Sequence, residues 1–205
     1  MKKFDNSFLA EKIQYVAGTD EAGRGPLAGP VVAAAVLFEN DSVINGVNDS
    51  KKLNEKTREE LFEEITKKAL SWSYTVIDNY EIDKINILQA SLKAMKESVN
   101  KLEVKPDLVL IDGNKSFYTE IPVKTVVKGD SKSFAIAAAS IIAKVTRDRI
   151  MKEASGKYPI YLWHKNKGYP TREHITAIKK YGPCDMHRMT FLSRILSDSP
   201  EVRLL

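Results

Sequence analysis

The sequence predicts an α/β fold: a mixed central sheet flanked by helices, with a small C-terminal helical extension. Two adjacent β-prone segments come first, and helical and β-prone segments then alternate, which is the pattern of an α/β domain. The extension is marked by charge, because residues 144–194 hold 12 Lys and Arg against 4 Asp and Glu, in a chain that has 32 against 27 overall. We expect a main domain over residues 1–151 and a basic extension over residues 152–205 that packs on it.

The composition excludes several classes of protein. The chain has 205 residues, 43% of them hydrophobic, which is enough to bury one substantial core, so a disordered or fibrous protein is not expected. Its one cysteine, Cys184, rules out an intrachain disulfide framework or a Cys-based zinc cluster and suits a reducing compartment. No apolar leader follows Met1, and no apolar run reaches about 18 residues. We therefore expect a cytoplasmic protein that does not enter a membrane.

The first half of the chain predicts three strands and a helix. Residues 14–19 form a short β-prone run, and residues 30–38, rich in valine and alanine, follow it after a turn of glycine and proline. These two runs are expected to be neighbouring strands. Asn54 can cap a helix over residues 55–70, and a strand over residues 71–77 comes next.

The second half predicts helices that cover the sheet and two more buried strands. One helix carries an apolar stripe at spacings of three and four: Ile85, Leu88, Leu92, Met95 and Val99. Short apolar runs at residues 107–111 and 123–127 each end in a turn. Residues 131–151 are alanine-rich and then charged, as in a helix whose end leaves the core, and prolines and glycines divide the remainder into short helices.

Four carboxylates follow directly on predicted strands or their turns: Asp20, Glu21, Asp112 and Asp130. Ligands bind at that edge of an open α/β sheet. Carboxylates gathered there repel one another unless cations lie among them, and oxygen ligands without histidine or cysteine suit Mg²⁺ or Mn²⁺. Two such ions, roughly 3.5–4 Å apart, serve phosphodiester hydrolysis. Each carboxylate also has an ordinary alternative: a turn at Asp112, a helix cap at Asp130 or Ser131, or solvated charge at Asp20 and Glu21.

A glycine turn at residues 23–28 follows the first strand and formally matches the dinucleotide-binding pattern G-x-G-x-x-G/A. That motif needs a helix to begin within the loop, whereas residues 31–38 predict a strand, so dinucleotide binding is rejected. The preferred interpretation is a close approach of the backbone to a sugar, with amide donors and the Arg24 guanidinium for phosphate. A plain hairpin turn is the alternative.

The basic segment is also aromatic, which is typical of a surface that binds a polyanion and stacks rings on sugars or bases. Its rings are Tyr158, Tyr161, Trp163, Tyr169 and Tyr181, and all three histidines lie in it. The alternative is a solvated, lysine-rich face. His174 and His187 lack a cysteine or carboxylate at metal-ligand spacing and are interpreted as hydrogen-bonding or packing residues.

Five blocks, in order along the chain, make the sequence resemble bacterial ribonuclease HII, a type 2 ribonuclease H. They are GTDEAGRGPLAGPVV at 18–32, NDSKKL at 48–53, LIDGN at 110–114, KGDSK at 128–132 running into AAASIIAK at 137–144, and NKGYPT at 166–171 with His174. The resemblance spans nearly the whole chain. It implies a ribonuclease H-like fold with the catalytic domain over residues 1–151, and an endoribonuclease that cuts RNA hybridised to DNA or embedded in it.

The resemblance also implies a mechanism and a set of reacting groups. Asp20, Glu21, Asp112 and Asp130 would be the catalytic, metal-binding set for two divalent ions, Mg²⁺ or Mn²⁺. A monomer would cut on the 5′ side of a single ribonucleotide in duplex DNA, leaving a 3′-hydroxyl and a 5′-phosphate.

Other residues would bind the substrate. At an RNA-to-DNA junction the glycine turn would contact the backbone and the 2′-hydroxyl, and a tyrosine would stack on the next deoxyribose; two residues of the second block would reach phosphates or else be solvated. The substrate-binding candidates are Gly23, Arg24, Gly25, Ser50, Lys51 and Tyr169. The 2′-hydroxyl is the local group that distinguishes RNA from DNA, so this fits the interpretation of the turn.

Two other classes compete with the nuclease. A non-catalytic module that binds RNA/DNA hybrids would show salt-dependent binding without turnover, and the complete acidic set argues against it. A nucleotide-dependent oxidoreductase would need the rejected glycine motif.

Overall fold

The computed structural model describes residues 1–197 and shows a five-stranded mixed sheet between layers of helices. The strands are β1 (Val16–Ala22), β2 (Val31–Leu37), β3 (Ser71–Ile77), β4 (Leu108–Asp112) and β5 (Val123–Val126). Their spatial order is β3-β2-β1-β4-β5; β2 is antiparallel to both β1 and β3, whereas β4 is parallel to both β1 and β5. The predicted α/β fold with a mixed sheet is confirmed.

The described residues form eight α-helices. They are α1 (Lys2–Asn6), α2 (Glu55–Lys68), α3 (Asn79–Ile85), α4 (Ile87–Asn100), α5 (Phe134–Lys157), α6 (Trp163–Asn166), α7 (Arg172–Tyr181) and α8 (Met189–Ser197). Short 3-10 helices occur at Ser50–Lys52, Gly129–Ser131 and Pro159–Tyr161. Within residues 1–197, none of the helices is both long and apolar enough to cross a membrane.

Strand β2 lies at the centre of the core and is buried on both faces. Ala33 and Ala35 pack in the layer that contains α4, while Ala34 and Val36 pack in the layer that contains α2 and α5. A strand covered on both sides has no solvent face, which explains why its sequence is a continuous apolar run rather than an alternating one.

Helix α5 packs directly against β1 at Gly18. A Cβ at Gly18 would lie 2.3 Å from the carbonyl carbon of Ala135 and 2.3 Å from the amide nitrogen of Ile136. The first turn of α5 is fixed there from two sides: Ser133 Oγ accepts from the Ile136 amide at 3.2 Å, and a carboxylate oxygen of Asp5 accepts from the Ala135 amide at 2.9 Å. The helix backbone thus lies against the strand with no side chain between them.

The helix predicted across the apolar stripe is broken at Asn86. Its φ of 67° lies in the left-handed region, which asparagine tolerates better than most residues, so Ile85 ends α3 and α4 begins at Ile87. The Asn86 side chain then caps α4 by accepting from the amides of Leu88 and Gln89. The residue at the break therefore satisfies two amides of the first turn of α4.

The charged end of α5 leaves the core only in part, because Arg149 and Lys152 are exposed as predicted whereas two of their neighbours are not. Arg147 and Asp148 are buried, because the C-terminal helices pack around this end of α5. Met151 of α5 belongs to the same apolar cluster as Trp163 and Leu192. For Arg147 and Asp148, a charged side chain in the sequence was wrongly taken to be exposed to solvent.

The predicted series of short helices after α5 is confirmed as α6, α7 and α8. The boundary predicted after Met151 falls inside α5, and the division into two parts stays a prediction. Residues 198–205 of the predicted extension lie outside the described residues.

We expect Gly18→Ala to destabilise the fold by about 1–3 kcal/mol, because the added methyl group would overlap the backbone of α5, which cannot rotate away as a side chain can. The measurement is the free energy of unfolding in urea.

Gly156→Ala is the matched control. Gly156 lies within α5, is exposed and has open space around its Cα, so alanine should raise the free energy of unfolding by roughly 0.5–1 kcal/mol. Equal stability of the two variants would show that α5 does not press on β1 at Gly18.

Candidate active site

The four carboxylates lie at one edge of the sheet. Asp20 and Glu21 are in the second half of β1, Asp112 ends β4, and Asp130 lies in the 3-10 helix that follows β5. Strands β1 and β4 are parallel, and the residues just before Asp20 and Asp112 are paired in the ladder. Asp20 and Asp112 therefore come side by side at the ends of neighbouring strands.

Asp20 is the most buried of the four, with 4% of its surface exposed. Its Oδ1 accepts a hydrogen bond from the Glu21 amide at 2.7 Å, and the nearby Ser140 hydroxyl of α5 favours its charged form. Burial, and then the charges of Glu21 and Asp112, raise the pKa of Asp20 well above its ordinary value. The charged form of Asp20 thus needs a cation nearby.

Glu21 stands between a repelling carboxylate and an attracting guanidinium. Burial is the main cause that raises the pKa of Glu21; the charge of Arg24 opposes this and that of Asp112 adds to it. Arg24 Nη1 lies 3.4 Å from Glu21 Oε1, and Arg24 is exposed, so this contact is a weak surface pair. Arg24 can therefore exchange Glu21 for another anion at small cost.

The third and fourth carboxylates are tied together through the backbone. Asp112 Oδ1 accepts from the Gly129 amide at 2.6 Å, which joins the end of β4 to the 3-10 helix that carries Asp130. Burial, and then the charges of Asp112 and Asp49, raise the pKa of Asp130. The repulsion found at Asp20 thus extends across the cluster.

Ser50 and Lys51 reach the same cluster from the loop before α2. Lys51 Nζ lies 3.8 Å from Asp130 Oδ2; burial lowers the pKa of Lys51, but the charges of Asp20 and then Asp130 outweigh burial and raise it. Ser50 is buried, and its Oγ lies 2.8 Å from Ser140 Oγ, the hydroxyl that favours the charged form of Asp20. Ser50 supports the cluster from within, while Lys51 brings a cation to it.

The cluster fits a divalent cation by chemistry and charge. In residues 1–197, no three His, Cys, Asp or Glu side chains already surround one point at ligand distance. The carboxylates are nevertheless close enough to raise one another's pKa, which a cation among them would relieve, and their all-oxygen donor set suits Mg²⁺ or Mn²⁺. Binding would require these side chains to turn toward the ion.

The glycine turn leads directly from β1 to a surface beside Tyr169. Gly23 has a φ of 104°, and a Cβ there would lie 2.2 Å from Arg147 Nε, so only glycine fits. A Cβ at Gly25 would lie 3.7 Å from Tyr169 Cε1, and Tyr169 is 39% exposed. We call the surface formed by Gly25 and the neighbouring Tyr169 ring the slot; both residues are exposed to solvent.

Two buried arginines, which the sequence analysis did not single out, hold this turn. Arg188 donates to the carbonyls of Gly23, Arg24, Pro26, Gly29 and Pro30 at 2.7–3.2 Å. Arg147 donates at 3.0–3.1 Å to the carbonyls of Ala28, Pro30 and Lys167. Burial lowers the pKa of Arg147 to about 10 and that of Arg188 to about 9, so both stay charged at neutral pH. The only feature of the sequence that pointed to these two arginines was the excess of basic residues in the segment 144–194.

The turn presents amide donors outward. Within residues 1–197, the backbone amides of Arg24 and Gly25 have no acceptor, and both residues are exposed. Beyond the turn the chain enters β2 at Val31 rather than a helix, which confirms the rejection of the dinucleotide motif.

Tyr169 is fixed through its backbone while its ring stays accessible. Its carbonyl accepts from the Thr171 amide at 2.8 Å and from His174 Nδ1 at 3.0 Å. Lys144 Nζ lies 5.9 Å and Arg147 Cζ 5.8 Å from the ring centroid. The ring therefore lies beside two cations of α5.

The histidine interpretation is confirmed, and part of the aromatic prediction is wrong. His174 and His187 are buried with their Nε2 atoms 3.1 Å apart, and Trp163 Nε1 donates to His174 Nε2 at 3.0 Å. Burial lowers the pKa of both histidines, that of His187 to about 4.

Tyr161 and Trp163 are also buried and cannot stack on a polyanion, whereas Tyr169 can. Spacing alone does not distinguish core rings from surface rings.

Comparisons with known proteins agree on one family. The family model of ribonuclease HII matches residues 17–194. Ribonuclease HII of Caldicellulosiruptor saccharolyticus is 50% identical over 194 residues, which cover 95% of this chain and 95% of that protein. Ribonuclease HII of Rickettsia akari is 56% identical over 176 residues, covering 86% and 90%. The crystal structure of ribonuclease H2 from Pyrococcus horikoshii is 29% identical, with a TM-score of 0.74 and coverage of 86% and 93%.

We expect Asp20→Asn to stabilise the metal-free protein at pH 8 by roughly 0.5–2 kcal/mol. The pKa of Asp20 is raised on folding, so the folded protein holds this proton more tightly than the unfolded chain, and stability is lost as pH rises above the ordinary pKa of aspartate. Asparagine removes that loss and keeps an acceptor for the Glu21 amide. Urea unfolding in EDTA at pH 5 and pH 8 measures the difference.

The gain should be smaller at pH 5 than at pH 8. Glu11→Gln, at an exposed carboxylate, is the control and should change stability little at either pH. An Asp20→Asn protein that is less stable than wild type at pH 8 would show that contacts made by the carboxylate outweigh the repulsion.

Proposed function

Because the chain belongs to the ribonuclease HII family and is a type 2 ribonuclease H, we propose that it hydrolyses RNA in RNA/DNA hybrids and cuts 5′ of single ribonucleotides in duplex DNA. One observation carries the proposal: Asp20 and Glu21 lead without interruption into the glycine turn, and Gly25 in that turn borders Tyr169. The acidic cluster and the slot are thus parts of one surface.

The reaction is hydrolysis of one phosphodiester by in-line attack. Water adds its oxygen to phosphorus, and the bond from phosphorus to the 3′ oxygen of the preceding deoxynucleotide breaks. The products are a 3′-hydroxyl on the DNA and a 5′-phosphate on the ribonucleotide. Two bound divalent ions, Mg²⁺ or Mn²⁺, would supply activation of the water and stabilisation of the leaving oxygen.

The acidic residues would hold these ions. Asp20, which lies beside both Glu21 and Asp112, would hold the ions together with these two residues and Asp130. Their mutual repulsion favours this role, because each carboxylate gains a counterion when a cation binds. Lys51, now beside Asp130, would be released toward a substrate phosphate.

The slot would read the sugar. At Gly25 no side chain keeps a ribose from the backbone, the amides of Arg24 and Gly25 can donate to the 2′-hydroxyl or a phosphate, and the Tyr169 ring can stack on the following deoxyribose. These contacts touch the sugar and the phosphate rather than base edges, so cleavage would not depend on base sequence.

One chain supplies both the acidic cluster and the slot, so the protein would act as a monomer. We place it in the cytoplasm, with a catalytic domain over residues 1–151 and an extension over residues 152–205 that contributes Tyr169. Its nucleic-acid partners would be RNA/DNA hybrids and duplex DNA that contains ribonucleotides.

The proposal predicts one metal-dependent cut, 5′ to the ribonucleotide, in end-labelled duplex DNA that contains a single ribonucleotide. Tyr169→Ala should lower kcat/KM on this substrate about 5- to 160-fold, because loss of one stacked ring costs roughly 1–3 kcal/mol. Cleavage of a continuous RNA strand paired with DNA should fall less.

Tyr169→Phe keeps the ring and is the matched control, expected to retain near wild-type activity. Cutting of continuous hybrids alone would remove the junction role but keep the nuclease. Binding of either duplex without any cutting would identify a binding module instead.

Neutralising the cluster separates catalysis from folding. Asp112→Asn should lower activity more than about 100-fold, since metal-bound charge stabilisation is worth several kcal/mol, while circular dichroism stays unchanged. Mg²⁺ should raise the unfolding temperature of wild type but much less that of the variant. An active Asp112→Asn protein, or an equal Mg²⁺ shift in both, would contradict the assigned role.

A further inference from the structure

Within residues 1–197, Arg147 is the one side chain that bonds both the glycine turn and the loop that carries Tyr169, and it adds to a backbone bond in which the Leu27 amide donates to the Gly168 carbonyl at 2.8 Å. Its Nε and Nη2 donate to the carbonyls of Pro30 and Ala28 at 3.0 and 3.1 Å, at the end of the turn. Its Nη1 donates to the carbonyl of Lys167 at 3.0 Å, two residues before Tyr169. The three bonds leave the guanidinium in a single position between the two segments.

The guanidinium also touches the slot from behind. The backbone of Gly23 packs on it so closely that a Cβ there would lie 2.2 Å from Nε, and its Cζ lies 5.8 Å from the Tyr169 ring centroid. Arg147 is completely buried, so substrate cannot reach it. It can influence the reaction only through the residues that it holds.

The buried positive charge of Arg147 is stabilised by carbonyl groups rather than by a carboxylate. Its neighbour Asp148 pairs with Lys144 at 2.7 Å and with Arg58 at 3.7 Å instead. A buried cation is costly unless its donors are satisfied, so the carbonyls of the turn and of the tyrosine loop must stay where the guanidinium needs them. The charge therefore constrains the distance between the two segments on either side of the Leu27–Gly168 backbone bond.

We propose that Arg147 is a positioning residue that fixes the separation of Gly25 and Tyr169, and thereby sets the preference for an RNA-to-DNA junction. This rests on the proposed function of the slot. Arg188 holds the turn alone, through five carbonyls on the turn side, and so cannot set that separation.

Lysine cannot replace arginine in this role. Three carbonyls in different directions match the planar fork of a guanidinium, whereas an ammonium keeps the charge but cannot span them. Arg147→Lys is thus the more informative variant, because it keeps the charge and removes the three-way hydrogen bonding. Arg147→Ala would leave three buried carbonyls unpaired and destabilise the fold.

The experiment compares kcat/KM on two duplexes for each protein: DNA with a single ribonucleotide, and a continuous RNA strand paired with DNA, which has no junction. The ratio of interest is kcat/KM on the single-ribonucleotide duplex divided by kcat/KM on the continuous hybrid. We expect Arg147→Lys to lower this ratio about 10-fold or more, since a small misplacement of binding groups lowers the rate steeply. Arg149→Lys, on the same helix but exposed and paired with Glu59, is the control and should leave the ratio within about 2-fold of wild type.

A double-mutant cycle tests whether Arg147 acts through the tyrosine. In a Tyr169→Ala background, Arg147→Lys should change the ratio less than about 2-fold, because the ring it positions is gone. Urea unfolding of every variant verifies that it is folded at the assay temperature, and Arg147→Gln replaces Arg147→Lys if the latter is not.

The outcomes separate this proposal from the one on which it rests. If wild type does not cut at a single ribonucleotide, the proposed junction function is wrong. If wild type cuts there but Arg147→Lys loses activity equally on both duplexes, or its effect is additive with Tyr169→Ala, Arg147 is merely structural and this proposal is overturned.

Discussion

The close approach of α5 to β1 at Gly18 is the contact on which the site depends. Because no side chain separates helix and strand there, one face of α5 lies directly above the acidic edge of the sheet. Ser140, Lys144 and Arg147 follow one another at helical spacing along that face and reach, in turn, Asp20, the Tyr169 ring and the glycine turn. A single rigid helix thus sets the distance between acidic cluster and slot.

The two ends of this face carry opposite charge: carboxylates at one end and buried guanidinium groups at the other. At one end, carboxylates are gathered with too little positive charge, and their raised pKa values record the repulsion. At the other end, Arg147 and Arg188 are buried among carbonyl groups. The first arrangement is destabilising until a cation binds, whereas the second is satisfied in the folded chain alone. Under the proposed function, the first end would take up ions, while the second keeps its shape.

Local sequence signals predicted the sheet and the acidic edge, because strand ends and apolar runs are short-range features. The four carboxylates and Gly25 were found in this way, whereas the roles that the family resemblance assigns to them stay predictions. Burial of charge is a long-range property: nothing near Arg147 in the sequence shows that the C-terminal helices cover it. For the same reason Trp163, a core residue, was mistaken for a surface ring, and the contact between Gly25 and Tyr169 followed only from the folded chain.

The buried arginines also determine what the turn offers to a ligand. Their guanidinium groups occupy the carbonyls of the turn, while the amides of Arg24 and Gly25 are left without acceptors on the exposed side. The acceptors of this surface are already bonded within the protein, whereas some of its donors have no partner. Such a surface favours oxygen-rich groups, namely phosphates and hydroxyls, over base edges, which carry both donors and acceptors. Since the sugar and phosphate of a strand do not vary with its base sequence, a turn polarised in this way would recognise the chemical type of a strand without reading its sequence.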